Sequence, residues 1–176
     1  MKTFLLAIVF VLISVSASAQ LYVLKDHIVD SNANRPVLYD SLPKMCDTLY
    51  GAFIKEDLSG LKPFVPEVRY LKSTFDTLAI EYREEQVVYR QQLLYRSLQK
   101  DYKKILKYAE KSKITIRRLE KGEVIYNYGK NEEGHEYCYV TTEFKRKKHS
   151  YELKYLAIML NGHWFLGDEL SFREIE

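Results

Sequence analysis

The chain has 176 residues, 27 of them basic and 24 acidic, with a net charge of +3. This length suits one domain with one core, and the nearly balanced charge argues against a nucleic-acid-binding protein, which needs a clear basic excess on one face. Fifteen tyrosines suit a half-buried sheet face or a cavity lining, but they suit an ordinary sheet surface equally well, and we favour the ordinary surface.

The first element in the chain is a predicted signal peptide over residues 1–19. A basic start and the apolar run 4–13 precede three small residues, which predicts cleavage between Ala19 and Gln20. The run is too short to cross a bilayer, and no later segment is long and apolar enough for a membrane span. A bacterial lipoprotein would carry cysteine where Gln20 stands. We therefore expect a soluble, exported protein, periplasmic or extracellular, that is not a lipoprotein.

Three helices are predicted next. Apolar residues at three- and four-residue steps run from Leu42 to Ile54, with Asp40 or Ser41 available as the N-cap. Pro66 is favoured in a first helical turn and is expected to open a second helix. The segment 81–111 has neither glycine nor proline, and residues from Val88 to Ala109 recur on one line at helical spacing, which predicts a long helix of about 45 Å at 1.5 Å per residue. We expect this helix to pack on the core rather than to form a dimer arm.

The sequence period changes from helical to alternating after Lys111, which predicts strands. The first strand is expected to begin at Ile114, with a turn signal at Lys121-Gly122. Asn161-Gly162 is a strong hairpin signal between the last two strands. Helices followed by an antiparallel sheet of about four strands place the chain in the α+β class. The predicted organisation is a signal peptide, an irregular lead-in over residues 20–39 and a single α+β domain over residues 40–176.

Two segments resemble a known superfamily. The hairpin from Tyr155 to Asp168, with its apolar strand, Asn-Gly turn and aromatic pair, resembles the closing strands of NTF2-like (cystatin-like) α+β domains. The segment from Ala52 to Leu61 is similar to the end of that family's first helix. The resemblance implies an exported bacterial member with a curved sheet wrapped on a helix, forming a cone whose open end holds a ligand. Family enzymes place a carboxylate or histidine beside a tyrosine in that cone, but no motif here singles out a catalytic residue.

Other residues suggest few chemical sites. Cys46 and Cys138 either form a disulfide in an oxidising compartment or serve as two small buried apolar residues. His135 and His163 are expected at one edge of the sheet without a third ligand, so we expect no metal site and no cofactor.

The densest positive charge is a predicted hairpin tip, formed by Lys145, Arg146, Lys147 and Lys148. Such a tip either keeps a sheet edge from pairing with another chain or docks an anionic partner, such as lipid headgroups, lipopolysaccharide or an acidic protein surface.

The function that these features favour is a non-enzymatic, exported binding or interaction domain. Its partner would be a small apolar ligand, a peptide or another protein, including a second copy in a homodimer. One alternative is an isomerase, cyclase or dehydratase on the same scaffold, which needs an unpartnered polar group inside an enclosed cavity. The other is a self-associating structural or adaptor protein with an exposed apolar patch.

Overall fold

The part of the chain described by the computed structural model comprises residues 38–72, 80–132 and 134–175, without side-chain detail at residues 80–83. The chain divides into two units, Met1–Ala33 and Asn34–Glu176, and every described residue belongs to the second. The predicted signal peptide, its cleavage site and most of the predicted lead-in therefore lie outside the described residues.

Helices come first in the chain and strands follow, which confirms the α+β class. Within the described residues, the elements in chain order are α1 (Leu42–Ile54), a 3₁₀ helix (Ser59–Phe64), α2 (Val68–Leu71), α3 (Ile80–Lys111), a 3₁₀ turn (Ile116–Arg118), β1 (Glu120–Lys130), β2 (Glu136–Arg146), β3 (His149–Leu160) and β4 (His163–Ile175). The strands form one antiparallel sheet in the order β1-β2-β3-β4. No helix in the described ranges combines the length and the apolar composition needed to span a membrane.

Helix α1 forms because its apolar residues share one buried face. Ser41 has the extended backbone of an N-cap, and Pro43 lies in the first turn, where a missing N–H removes no intrahelical bond. The Ser41 side chain makes no capping hydrogen bond, so the helix depends on burial of its apolar face. The buried residues are Leu42, Met45, Cys46, Leu49 and Phe53. They confirm the helical spacing in the sequence.

Helix α3 has 32 residues and confirms the predicted long helix. Its C-terminal half packs on the core, where Leu98 and Tyr102 are buried and the Tyr102 hydroxyl donates a hydrogen bond to the Phe53 carbonyl at 3.2 Å. Nearer its N-terminus, Val87 is buried in a second apolar cluster. The helix therefore contributes to two separate cores.

The strand predicted from Ile114 is wrong in its position. Lys113 adopts a left-handed backbone with φ 56°, and the Ile114 N–H donates to the Ala109 carbonyl at 2.7 Å, which closes the end of α3. Ile114 and Ile116 are buried against the core, and β1 begins only at Glu120. The predicted turn at Lys121-Gly122 is also wrong, because β1 continues through it with a bulge.

The two faces of the sheet bury adjacent residues of β4 in different cores. We call inner the face that carries Phe144, which packs on Phe53 of α1 at 5.6 Å between ring centroids. Trp164 belongs to this inner core, whereas Phe165 lies on the opposite, outer face with Tyr70 and Val87. Fully burying each such aromatic side chain stabilises the fold by roughly 1.5–3 kcal/mol. Both faces of the sheet are therefore covered beside β4.

The hairpin between β3 and β4 confirms the Asn-Gly prediction. Asn161 and Gly162 have φ of 50° and 80°, the left-handed pair that a type I′ turn requires. Just beyond the turn, the Trp164 N–H donates to the Tyr39 carbonyl at 2.8 Å, and the two residues form an isolated antiparallel bridge. The end of the predicted irregular lead-in is thus tied to the edge of β4.

Candidate functional site

The inner face, where the family resemblance implies a ligand, is packed with side chains from α1, the first 3₁₀ helix and α3. Tyr155 lies within this core, and burial, followed by the nearby Cys46 thiol, raises the pKa of its hydroxyl. That hydroxyl has no hydrogen-bond partner of normal geometry among the described residues. Cys46 and Cys138 are free, buried thiols and do not form the disulfide that was one of the two predicted arrangements. Burial raises the pKa of the Cys138 thiol to about 11, so it is a weak nucleophile.

The outer face carries an apolar depression between β2 and β3. Tyr137 pairs with Ile158 across the two strands, and Tyr139 pairs with Leu156, so two aromatic and two aliphatic side chains meet on one surface. The Tyr137 and Tyr139 rings meet edge to face at 5.7 Å. These four residues line a cavity of about 360 Å³.

A second depression continues the first toward α3. Its volume is about 540 Å³, and it shares Leu156 and Ile158 with the first. Leu93 and Leu94 of α3 and Leu71 of α2 form its far wall. We call the two depressions together the outer-face groove. It runs from the start of β2 across the sheet to the helix.

Two glycines allow the groove floor to form. Residues 167–169 of β4 lie opposite the single residue Leu156, which makes a bulge at the centre of the groove. A Cβ at Gly167 would lie 2.7 Å from a methyl carbon of Leu156, so glycine permits Leu156 to lie flat. At the other end the Tyr137 ring covers Gly129 in the same way. Larger residues at these positions would push the floor outward and fill the groove.

Polar groups lie at the ends of the groove. Arg90 and Asp168 line the end beside α3, and His135 lines the end beside the β1–β2 loop. The His135 backbone N–H donates to the Asn131 side-chain oxygen at 2.8 Å, which fixes this loop. Apolar walls with a few polar groups at the ends suit binding of an apolar segment with polar flanks.

The other half of the outer face is polar and lies outside the groove. Glu152 accepts hydrogen bonds from Arg173 and from Lys154, the latter at 2.9 Å. Burial alone would raise the pKa of Glu152, but the hydrogen bonds and charges of Lys154 and Arg173 outweigh it and hold the pKa below its usual range. The groove is therefore the apolar half of a divided surface.

The residues singled out in the sequence are spread over several places. Lys145, Arg146, Lys147 and Lys148 form the β2–β3 tip, with Lys147 at φ 57° in the turn. The His163 ring packs edge-on against Tyr70 at 5.8 Å. Within the described ranges, no group of three or more His, Cys, Asp or Glu side chains is placed to hold a metal ion.

The sequence reasoning missed the groove. The signal was present in β3, where residues 155–160 are apolar without alternation. An uninterrupted apolar strand is typical of a strand covered on both faces. The alternation of β2 hid the same fact, because Tyr137 and Tyr139, its outward residues in the groove, suit a solvated surface equally well.

Comparison of the chain with protein-family models, with curated proteins and with solved structures finds no significant match.

Proposed function

We propose that this chain is an exported, non-catalytic binding domain on an NTF2-like scaffold, and that its outer-face groove binds an extended apolar peptide segment of a partner protein. The observation that carries the proposal is the shared floor of Leu156 and Ile158, which makes one continuous apolar surface from β2 to α3. Export is inferred from the signal-like residues 1–19, and the scaffold from the resemblance of the C-terminal hairpin.

The shape of the groove favours a peptide over a small molecule. Sites for small ligands bury most of the ligand surface, whereas the described residues do not enclose this groove. An extended peptide places alternate side chains on one side, so it can insert apolar residues between Tyr139 and Leu93 while its polar side chains face water. Arg90 and Asp168 provide charged partners for polar groups where the peptide leaves the groove.

The exposed apolar surface needs a partner for a physical reason. Leu93 is 38% exposed and Tyr139 is 45% exposed, and both line the groove with neighbouring apolar side chains. Contiguous apolar surface of this kind marks interaction sites more often than isolated exposed residues do. Covering the Leu93 side chain is expected to contribute about 1–2 kcal/mol to binding.

The enzyme alternative requires an unpartnered polar group inside an enclosed cavity. The Tyr155 hydroxyl is unpartnered within the described residues, but Tyr155 belongs to the packed inner core and lines neither depression of the groove. We therefore give Tyr155 no catalytic role in this proposal.

The test uses the purified full chain and a phage-displayed library of random ten-residue peptides. Enriched peptides are expected to carry apolar residues at alternate positions, and their affinity is measured by fluorescence polarisation. Leu93→Glu should weaken binding at least tenfold, because the substitution places a charge in the apolar wall.

Ile125→Glu is the matched control for this test. Ile125 is 39% exposed and lies on the same outer face, but it does not line the groove. We expect less than a twofold change in affinity for this variant. The proposal would be overturned if the peptide library, selected separately on the Leu93→Glu variant and on the unmodified chain, gave the same enriched peptides.

A further inference from the structure

The solvent-facing side of α3 carries a row of cations that the groove does not use. Arg96, Lys100, Lys103 and Lys107 follow each other at steps of four, three and four residues, so they lie one per turn along about 16 Å of helix. We call these four residues the basic stripe. All four are exposed, and with Gln99 and Lys104 they line a shallow depression of about 390 Å³ without an acidic residue.

The basic stripe points away from the rest of the protein. The buried residues of this part of α3, such as Leu98 and Ile105, lie on the opposite side of the helix. Every lining residue of the depression comes from α3 itself, so no second element of the described part of the chain forms a wall around it. The surface is therefore an open, positively charged area on one side of the helix.

The charges of the stripe are not neutralised by neighbouring acids. Lys104 makes an ion pair with Asp101 at 2.7 Å, but none of the four stripe residues has an ion pair within the described part of the chain. Residues 96–118 contain nine basic and two acidic side chains, although the whole chain is nearly balanced. A local excess of this size produces a positive potential that attracts anions.

We propose that the basic stripe docks this protein on an anionic lipid surface. An open surface formed by one helix cannot enclose an acidic peptide, but a straight row of cations can contact many headgroups of a flat bilayer at once. The stripe itself contains no apolar side chain, so binding is electrostatic and reversible, without insertion into the hydrocarbon layer.

The test measures sedimentation of the full chain with vesicles of 70% phosphatidylcholine and 30% phosphatidylglycerol, and with vesicles of phosphatidylcholine alone. We expect binding to the anionic vesicles in 25 mM salt and none in 500 mM salt. The triple variant Lys100→Gln, Lys103→Gln and Lys107→Gln should lower the partition coefficient about 100-fold, which corresponds to about 1 kcal/mol for each removed charge.

The control variant removes three charges elsewhere, by Lys145→Gln, Lys147→Gln and Lys148→Gln at the β2–β3 tip. This variant is expected to lose less than fivefold, and a stripe variant with arginine at the same three positions should bind as the unmodified chain does. Glutamine and arginine are good helix formers, and thermal unfolding checks that the variants keep the fold.

Several results would overturn the proposal. These are absence of binding to anionic vesicles, binding that salt does not reduce, equal losses in the tip and stripe variants, or loss of binding in the arginine variant. Tighter binding to a poly-glutamate peptide than to the vesicles would assign the stripe to an acidic protein partner instead.

Discussion

The hydroxyl of Tyr155 offers a prediction whose sign is unusual, because removing it should stabilise the protein. The Tyr155 side chain is 2% exposed, and its hydroxyl has no hydrogen-bond partner among the described residues. The nearby Cys46 thiol and Thr142 hydroxyl influence its pKa, but neither completes a hydrogen bond of normal geometry. A buried, unsatisfied hydroxyl costs about 1–3 kcal/mol relative to its hydrated state in the unfolded chain.

The expected gain for Tyr155→Phe follows from two opposing contributions. The substitution removes the desolvation cost, and it leaves a void of about 10–15 Å³ that costs about 0.3 kcal/mol. We therefore expect the free energy of unfolding to rise by about 1–2 kcal/mol. For a chain of this length each kcal/mol corresponds to a rise in Tm of about 2–4 °C.

Tyr102→Phe is the matched control, with the opposite expected sign. Tyr102 is 1% exposed in the same core, but its hydroxyl donates to the Phe53 carbonyl. The Phe53 carbonyl also accepts from the Glu56 N–H at 3.0 Å, so the substitution removes one hydrogen bond without leaving the carbonyl unpaired, and it should cost about 0.5–1.5 kcal/mol. Urea unfolding followed by the fluorescence of Trp164, the single tryptophan, measures both variants. Equal destabilisation by the two substitutions would refute the reasoning.

Three further predictions concern the thiols, one carboxylate and two glycines. Cys46 and Cys138 are free and buried, so at pH 8 they should react with a thiol reagent only after the protein is denatured. The denatured chain should then give two thiols in the absence of a reductant, whereas a chain with a disulfide would give none. The pKa of Glu152 is lowered in the fold, so its contribution to stability is present above its unfolded pKa of about 4.3 and is lost as the pH falls through the folded value. In urea titrations, Glu152→Gln should therefore reduce the free energy of unfolding at pH 7 and reduce it less at pH 3.5. An equal reduction at the two pH values would contradict this. Gly162→Ala should lower the free energy of unfolding by about 1 kcal/mol or more, because the backbone at Gly162 has φ 80°. Gly51→Ala in α1, where the added Cβ meets open space, should raise it by up to about 1 kcal/mol in the same assay. A change of the same sign in both variants would contradict the backbone argument.

The elements that the sequence predicts well are those with local causes. The apolar stripe from Leu42 to Phe53 is sufficient to indicate α1, because its spacing alone buries one face. Asn161-Gly162 indicates its turn because few other residue pairs adopt two left-handed conformations. The long helix is likewise indicated by local features, the helical spacing from Val88 to Ala109 together with the absence of glycine and proline.

The elements that the sequence hides depend on contacts between distant residues. Lys113 closes α3 in a left-handed backbone conformation that is usually adopted by glycine, so its sequence gives no signal for the end of the helix. Without that signal, the apolar Ile114 is interpreted as the start of a strand. The outer-face groove requires that α3 pass beside the bulge in β4, and the sequence gives no indication of that bulge other than Gly167. Non-local placement of this kind cannot be read from periodicity.

Helix α3 also determines how the groove can respond to what it binds. Leu93 lies between two points of attachment, Val87 in the outer cluster and Leu98 in the inner core. Because the helix is continuous and packed at both residues, it resists bending between them. A bulky ligand therefore cannot widen the groove without disrupting the packing of Val87 or Leu98. The groove should therefore select peptides by the size of their side chains. A substitution that weakens the packing of Leu98 should reduce this selectivity, although Leu98 lies outside the groove.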